Sequence, residues 1–528
     1  MILNSNQKHF AFLLIALFII VLYYLKLISD HPYFLTDDYL NFGIIKLNYS
    51  NFISFNLSEV SSYEKFYFYT RPITYLISLM DIKFFSENPF QMKLFSLLLN
   101  SILIIALFYL LKEVSAMFVK KISGIAILIT LLLFGLHPNN MWWIYWISDQ
   151  NEMIMILFYI VSLFSVIRYI NTSEKKYLVS YLLFYVFSIF TKQQPLHLPV
   201  MVLIIAYYFK NNFSTKQFWQ IKVFSIYGIA IMTIYSFFTY INSTNDFKFE
   251  YLLKKPFSLG GNLLYVIFPY NSLANYEYAT EHKLVVYLLV SLIIILTSIL
   301  IYFKYLSFKV FTFSLLILVV SFYPRLIDGA NNRINTIQVL LFCILIFIAI
   351  SSKFNFRKYV ISGVLIIIVL NCYETNAIVS YYKSLKNLQL DQATGYNEGE
   401  YDKKTAIIAF WSHLLPYQLH FIRNKAFGKD DISILPFSYS ILNSGKEFTE
   451  NIKIECLLKN GNIGIRNFQE PDVRIDLDNF NINSGEYKHL QNDVSYDKGF
   501  KELTFPVSGD TFKEKFIYFD GRKWVNVN

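Results

Sequence analysis

Charge is scarce in this chain: Asp, Glu, Lys and Arg make up 16% of its 528 residues, against about 25% in an ordinary soluble domain. With 55% hydrophobic and 19% aromatic residues and a mean hydropathy of +0.41, that scarcity is the composition of a membrane protein. Cysteine is almost absent. Cys343, Cys372 and Cys456 are too few and too scattered for a disulfide framework or a zinc site, and the first two lie inside apolar runs, where a thiol packs as a small core residue. The motifs of soluble-cofactor chemistry are missing too: there is no Walker loop, dinucleotide fingerprint, HExxH or GxSxG. A net charge of +10 would fit nucleic acid in a soluble protein. Here the bases cluster in short gaps between apolar runs, so their expected partner is anionic lipid, and no nucleic acid is expected.

What the chain has in quantity is apolar length. Segments of the length a bilayer needs occur near residues 10–29, 90–111, 121–136, 152–170, 177–191, 195–209, 221–241, 284–303, 308–323, 335–351 and 358–379. The first exceeds a signal-peptide core and lacks a small-x-small cleavage site, so it is expected to be retained. The expected fold class is therefore a polytopic α-helical membrane protein of about 11 transmembrane helices. Alternate gaps carry the bases: Lys112, Lys120 and Lys121; Arg168, Lys175 and Lys176; Lys210, Lys216 and Lys222; Lys304 and Lys309; Lys353, Arg357 and Lys358. By the positive-inside rule these gaps face the cytoplasm. The N-terminus is then cytoplasmic, and the loops 30–89, 137–151, 192–194, 242–283 and 324–334, with everything beyond about 380, face outward from a bacterial inner membrane.

The unusual polar residues collect on that outer side. They include FLTDDYLNFG (34–43), FYTRPITY (68–75), GLHPNNMWWIYWISDQNE (135–152), TKQQPLHLP (191–199) and YPRLIDGANNR (323–333). A charge inside a span costs roughly 2.5–3.5 kcal/mol at mid-helix, so acids and bases gathered at one rim point to a shared polar cavity. A carboxylate pair beside guanidinium and ammonium groups suits glycosyl transfer from a lipid-linked donor. The carboxylate takes the acceptor hydroxyl's proton, and the cations hold the departing phosphate. Asp37 and Asp38 project about 100° apart if they begin a helical turn, and a helix N-cap at Thr36 or Asp37 is the bland alternative for one of them. The segment 257–269, FSLGGNLLYVIFP, is apolar but too short to span and reads as interfacial or re-entrant.

Beyond residue 380 the long apolar runs end. Residues 381–430 read as mixed or helical, with an amphipathic stretch at 406–422 suited to the bilayer surface. Strand signals then dominate, with hairpin turns expected at Asn460-Gly461 and Asp520-Gly521. The expected division is a membrane domain over 1–380 and a small C-terminal α/β or β-rich outer domain over 381–528.

The order of a first helix, an acidic pair, RPITYLISLMDIKFFSENPFQMKLFSLLLN (71–100), HPNNMWWIYWISDQNEMIMILFYIVSLFSVIRY (137–169) and FSIFTKQQPLHLPVMVL (187–203) resembles the membrane glycosyltransferases of the GT-C fold. It is most similar to bacterial relatives of protein O-mannosyltransferases, including those that carry TPR repeats, although no TPR repeat is present here. The resemblance covers about residues 10–380. It implies that Asp37 is the catalytic base with Asp38 beside it, and that Arg71, Lys192 and Arg333 bind the donor phosphate. It further implies that His137, Glu152 and Gln193 line the cavity, that the donor is a polyprenyl-phosphate-linked sugar, and that the acceptor is a lipid, a glycan or a protein. No cofactor is firmly implied; the acidic pair is a suitable ligand for Mg²⁺ or Mn²⁺. The sequence departs from the family at two places. Trp146-Ile147-Ser148 is followed by Asp149-Gln150-Asn151-Glu152 where Gly-Arg-x-Asp is usual, and a Lys-Glu pair has become Lys192-Gln193. Two further readings stay open: a flippase or transporter for lipid-linked sugars, for which neither internal repeats nor broken helices are visible in the sequence, and a non-catalytic relative acting in envelope glycan assembly.

Overall fold

The computed structural model describes residues 5–30, 45, 49–56, 65, 68–85, 88–118, 123–212, 214–242, 266, 313, 316–317, 320–321, 336–351 and 357–398, and strand segments between 405 and 526. The chain divides into two units. One holds Met1–Pro32, Phe66–Ile77 and Pro89–Ser380; the other holds Tyr33–Lys65, Ser78–Asn88 and Tyr381–Asn528.

The helices, in chain order, are α1 Ser5–Asp30, α2 Tyr49–Ser54, α3 Pro72–Phe85, α4 Pro89–Phe118, α5 Gly124–Gly135, α6 Pro138–Tyr145, α7 Gln150–Thr172, α8 Lys176–Thr191, α9 Leu198–Tyr208, α10 Thr215–Asn242, α11 Thr336–Ser351 and α12 Arg357–Glu398. Among the described residues, five stretches are long and apolar enough to cross a bilayer: Gln7–Asp30, Pro89–Met117, Ile147–Thr172, Thr215–Thr239 and Arg357–Ser380, with a sixth if the bent pair α5–α6 counts as one span. The chain is thus a helical membrane protein. Three more apolar helices, Lys176–Thr191, Gln194–Tyr208 and Thr336–Ser351, are shorter. At 1.5 Å per residue the 16-residue α8 and α11 reach roughly 24 Å, less than the ~30 Å hydrocarbon core. The expected span at 284–303 lies outside the described residues, and 308–323 is described at only a few positions.

Within the first unit α7 packs between α4 and α8, while α1 lies against α4 and α5. Glycines let these helices approach closely, as small residues do in membranes. Gly124 and Gly135 on α5 face Phe12 and Ile20 of α1. A Cβ on Gly228 of α10 would stand 2.8 Å from Cγ of Pro199 and 3.1 Å from the Tyr181 hydroxyl.

Long-range hydrogen bonds in this unit join segments that alternate loops place on the same side. At one end Arg168 Nη1 donates to Glu113 at 2.5 Å, Gln217 Nε2 to Ser173 Oγ at 2.7 Å, and Arg357 Nη2 to Ser123 Oγ at 2.7 Å. At the other end Tyr145 OH donates to the Leu27 carbonyl at 3.3 Å, Thr74 Oγ1 to the Thr191 carbonyl at 2.8 Å, and Tyr235 OH to the Thr70 carbonyl at 3.0 Å. On α7 the two ends are separated by the 16 residues from Glu152 to Arg168, roughly 24 Å of helix.

Two expectations need correction. The segment 137–151 is not a solvated loop: α5 ends at Gly135, the chain bends by 55°, and all eight residues of α6 are buried. Pro138 starts the new helix, His137 Nδ1 caps it by accepting from the Asn139 N–H at 3.2 Å, and Asn140 Nδ2 donates to the buried end of α5 at the Phe134 carbonyl. This break was not visible as such because its proline sits at a helix start, where proline is tolerated, rather than within an apolar run. The second correction concerns 406–422, expected as an amphipathic helix: Thr405–Phe410 is strand β1.

That strand belongs to the second unit, where ten strands among the described residues form two sheets. They are β1 Thr405–Phe410, β2 Phe437–Leu442, β3 Glu455–Lys459, β4 Asn462–Arg466, β5 Arg474–Asp478, β6 Lys488–His489, β7 Ser495–Asp497, β8 Glu502–Pro506, β9 Lys515–Phe519 and β10 Trp524–Asn526. The six-stranded sheet runs β10-β9-β1-β2-β5-β6, and the four-stranded sheet β3-β4-β8-β7. β1 pairs in parallel with β2 and β9. A central parallel strand reads as a continuous apolar run, which periodicity alone cannot separate from a helix. β3 and β4 pair antiparallel with Lys459 opposite Asn462, leaving Asn460-Gly461 between them. β9 and β10 pair with Phe519 opposite Trp524, so four residues rather than two connect that hairpin.

The glycine contacts give a paired prediction. Gly228→Ala is expected to destabilise by about 1 kcal/mol, because overpacking against the rigid Pro199 ring outweighs the helix-propensity gain. Gly363→Ala, with nothing within 4 Å, is expected to be neutral or stabilising. Unfolding titrations of the purified variants in one detergent measure both; equal effects would mean that α10 does not abut Pro199.

Candidate functional site

Two antiparallel helices bring opposite charges together at the end of the first unit that holds Thr74 and Thr191. Glu152 lies in the first turn of α7 and Lys192 caps the C-terminus of α8, so each charge sits at the helix end whose dipole favours it. Lys192 Nζ forms an ion pair with Glu152 Oε1, with the glutamate side chain only 2% exposed and the lysine 16%. Gln194 Nε2 donates to the same carboxylate oxygen at 2.8 Å. Glu152 Oε2 and Gln194 Oε1 are buried with no hydrogen-bond donor among the described residues.

A 3₁₀ turn, Gln194–His197, carries the network inward. The His197 Nδ1–H donates to the Gln194 carbonyl at 2.9 Å, and Nε2 shares a hydrogen bond with the Tyr159 hydroxyl at 3.2 Å, which also donates to Met201 Sδ at 3.5 Å. Tyr159 follows Glu152 by seven residues, two helical turns on the same face of α7. Ser188 Oγ donates to the Met155 carbonyl at 2.9 Å and pins α8 to α7 between these two points.

Arg71 reaches this region through its helix. It precedes Pro72 at the start of α3, its carbonyl accepts from the Thr74 N–H at 3.1 Å, and Thr74 bonds Thr191, the neighbour of Lys192. Arg71 is half-buried. The structure therefore brings the Arg-Pro, Ser-x-x-x-Glu and Lys-Gln segments to one end of the bundle. His137 is buried at the α5–α6 break. Val266, helical and buried, is the only described residue of the apolar segment 257–269. Gln193 takes no part through its side chain in the Glu152 cluster; its carbonyl accepts from Leu196 N–H at 3.2 Å, and the next residue, Gln194, reaches Glu152. Asp37, Asp38 and Arg333 lie outside the described residues.

Sequence reasoning missed several neighbours. Gln150, about 200° around α7 from Glu152, donates to Ser96 Oγ at 2.6 Å and to the Met92 carbonyl at 3.3 Å on α4. Lys93, beside Met92, is wholly buried, with its ammonium 4.1 Å above the Tyr145 ring. Asp30 is close enough to act electrostatically on the Tyr145 phenol. A single lysine early in an otherwise apolar helix was the available signal, since an ionisable residue inside a membrane segment is functional by default. Among the described residues no group of three or more His, Cys, Asp or Glu side chains is arranged to hold a metal ion. No protein-family model matches the chain, and no curated protein matches it significantly.

Breaking a buried pair leaves an uncompensated charge, at a cost of about 3–5 kcal/mol. Glu152→Gln and Lys192→Gln are each expected to destabilise by about 3 kcal/mol, and the double variant by less than the sum by more than about 1 kcal/mol. Denaturant titration in a single detergent gives the coupling; strictly additive losses would show that the two charges do not hold each other.

Proposed function

We propose that this protein is a GT-C-type glycosyltransferase of the bacterial inner membrane that moves a sugar from a polyprenyl-phosphate donor to an acceptor hydroxyl at the outer face. The observation that carries the proposal is the convergence of Arg71, Glu152 and Lys192, from three separate sequence segments, at one end of the helical bundle. The family resemblance places these motifs around a donor pocket, and clustered charges at a membrane rim are costly unless they serve one.

In the proposed reaction Asp37 removes the proton of the acceptor hydroxyl, and the resulting oxygen attacks the anomeric carbon from the face opposite the phosphate. The bond between the anomeric carbon and the phosphate oxygen breaks, the electron pair leaves with the polyprenyl phosphate, and configuration inverts. Asp38 orients the base. Arg71, with Lys192 and Arg333, stabilises the charge that builds on the leaving phosphate. The fold proposed is about eleven spans with the N-terminus in the cytoplasm and the strand-rich region after 380 outside. In its support, the basic gap residues Arg168 and Arg357 bond at the end of the bundle opposite Lys192 and Glu152. The acceptor class is a lipid, a glycan or a protein at the cell envelope, and Mg²⁺ or Mn²⁺ bound by the acidic pair is compatible with the same chemistry.

One observation favours a second reading, a flippase for lipid-linked sugars: the 55° break between α5 and α6, since transporters build sites from discontinuous helices. The two readings part at bond cleavage. A deletion strain complemented with wild type, Asp37→Asn or Arg71→Lys, at matched membrane levels, is expected to lose the same envelope sugar in the Asp37→Asn strain as in the deletion. Arg71→Lys is expected to lower transfer at least tenfold through loss of bidentate phosphate contact. Mass spectrometry of envelope glycolipids and glycans reads both. Full restoration of the sugar by Asp37→Asn would remove this residue as the base.

A further inference from the structure

A groove on the first unit runs along α9, and its far end, at Tyr207 and Tyr208, is the end of that helix away from His197 and the Glu152 cluster. Val200, Leu203, Ile204 and Tyr207 recur on α9 at helical spacing and form one stripe; with Tyr208 and Leu316 they line an open groove of about 410 Å³. Eight residues separate Val200 from Tyr208, roughly 12 Å along the helix. The walls are almost entirely apolar.

Its end is not apolar. The Lys222 ammonium on α10 lies 5.6 Å from the ring centre of Tyr207 at the groove's far end, 4.5 Å from Trp219 and 5.6 Å from Phe218. Tyr207 and Phe218 meet edge to face at 5.3 Å. Three rings thus hold one ammonium in a fixed place beside the groove mouth, and cation–π attraction leaves its N–H groups able to reach an anion. Lys210 and Lys216 are exposed on the adjoining connection and first turn of α10. An apolar trough closed at one end by a fixed cation, aromatic rings and flanking lysines has the chemistry of a phospholipid: a chain along the trough and an anionic headgroup at its mouth.

We propose that this groove is a binding site for one anionic glycerophospholipid, with its acyl chain along Val200–Tyr207 and its phosphate at Lys222. The charge decides between occupants. A zwitterionic lipid fills the trough equally well but offsets its phosphate with its own ammonium and so gains less from the caged lysine, and a second copy of the chain would bury the lysines against each other. The proposal is independent of the glycosyltransferase reading.

The test embeds the purified full chain in nanodiscs of equal parts phosphatidylethanolamine and phosphatidylglycerol, releases it into mild detergent, and counts retained lipids by native mass spectrometry. Wild type is expected to keep phosphatidylglycerol in clear excess over the supplied ratio. Lys222→Gln is expected to lower that excess about fivefold, the effect of one cation near a lipid headgroup, and Lys222→Arg to preserve it. Leu203→Trp, which fills the trough, is expected to remove one retained lipid of either kind. Retention in the supplied ratio by wild type, or an excess unchanged in Lys222→Gln, overturns the proposal.

Discussion

A lysine and a glutamate that meet out of water join the ends of two neighbouring helices, and much of the described bundle is arranged around that meeting. Neither charge is tolerable alone: an isolated ion in a low-dielectric interior costs several kcal/mol even after relaxation. Lys192 and Glu152 therefore require α7 and α8 to run antiparallel with their ends level, and α7 and α8 pack together over much of their length. Gln194 then has to turn toward the same carboxylate, and the 3₁₀ turn from Gln194 to His197 makes that possible. The placement of α9, which follows without a loop, depends in turn on how His197 closes on the Gln194 carbonyl and Tyr159.

Breaks in helices serve the same accounting of polar groups. A helix end inside a membrane leaves carbonyls and N–H groups that no water can reach. At the α5–α6 bend the Phe134 carbonyl accepts from both the His137 N–H and the Asn140 amide, and the His137 ring takes an N–H, at Asn139. The short helices α8 and α9 follow this pattern: their abutting ends are bonded by the Glu152 and Tyr159 side chains of α7. α8 buries Tyr181, Tyr185 and Ile189 and leaves Val179, Leu183 and Phe187 exposed, an apolar face suited to lipid.

Much of this was legible in the sequence, and the parts that were not have identifiable causes. Long apolar runs with bases in alternate gaps located nine of the twelve described helices, because hydrophobic length is a one-dimensional signal; α2, α3 and α6 fall in the expected outer loops, and α12 continues to Glu398. The Lys192 and Glu152 positions were also legible as polar residues in costly places, although their pairing with each other was not, since 40 residues separate them. Gln194 and Gln193 are neighbours of identical chemistry, and only the 3₁₀ geometry decides which reaches the carboxylate. Lys93 went unnoticed because one lysine barely lowers the hydropathy of a 30-residue helix; its burial under Tyr145 is a tertiary fact. The strand at 405–410 was mistaken for helix because Ala-Ile-Ile-Ala-Phe contains no alternation to mark its period.

The ion pair also changes how the proposed phosphate site has to work. An ammonium already joined to a carboxylate presents a dipole of nearly zero net charge, so a phosphate oxygen approaching Lys192 is attracted by one group and repelled by the other. The affinity for the departing phosphate then falls mainly on Arg71, whose planar guanidinium offers paired donors and whose helix is tied to Lys192 through Thr74 and Thr191. Lys192 becomes a strong phosphate ligand only when Glu152 is drawn away. Glu152 Oε2 and Gln194 Oε1, both buried acceptors with no donor among the described residues, are the atoms at which a sugar hydroxyl would do this. A donor bearing both sugar and phosphate would thus loosen the pair with one end and profit from it with the other, which couples recognition of the sugar to stabilisation of its leaving group.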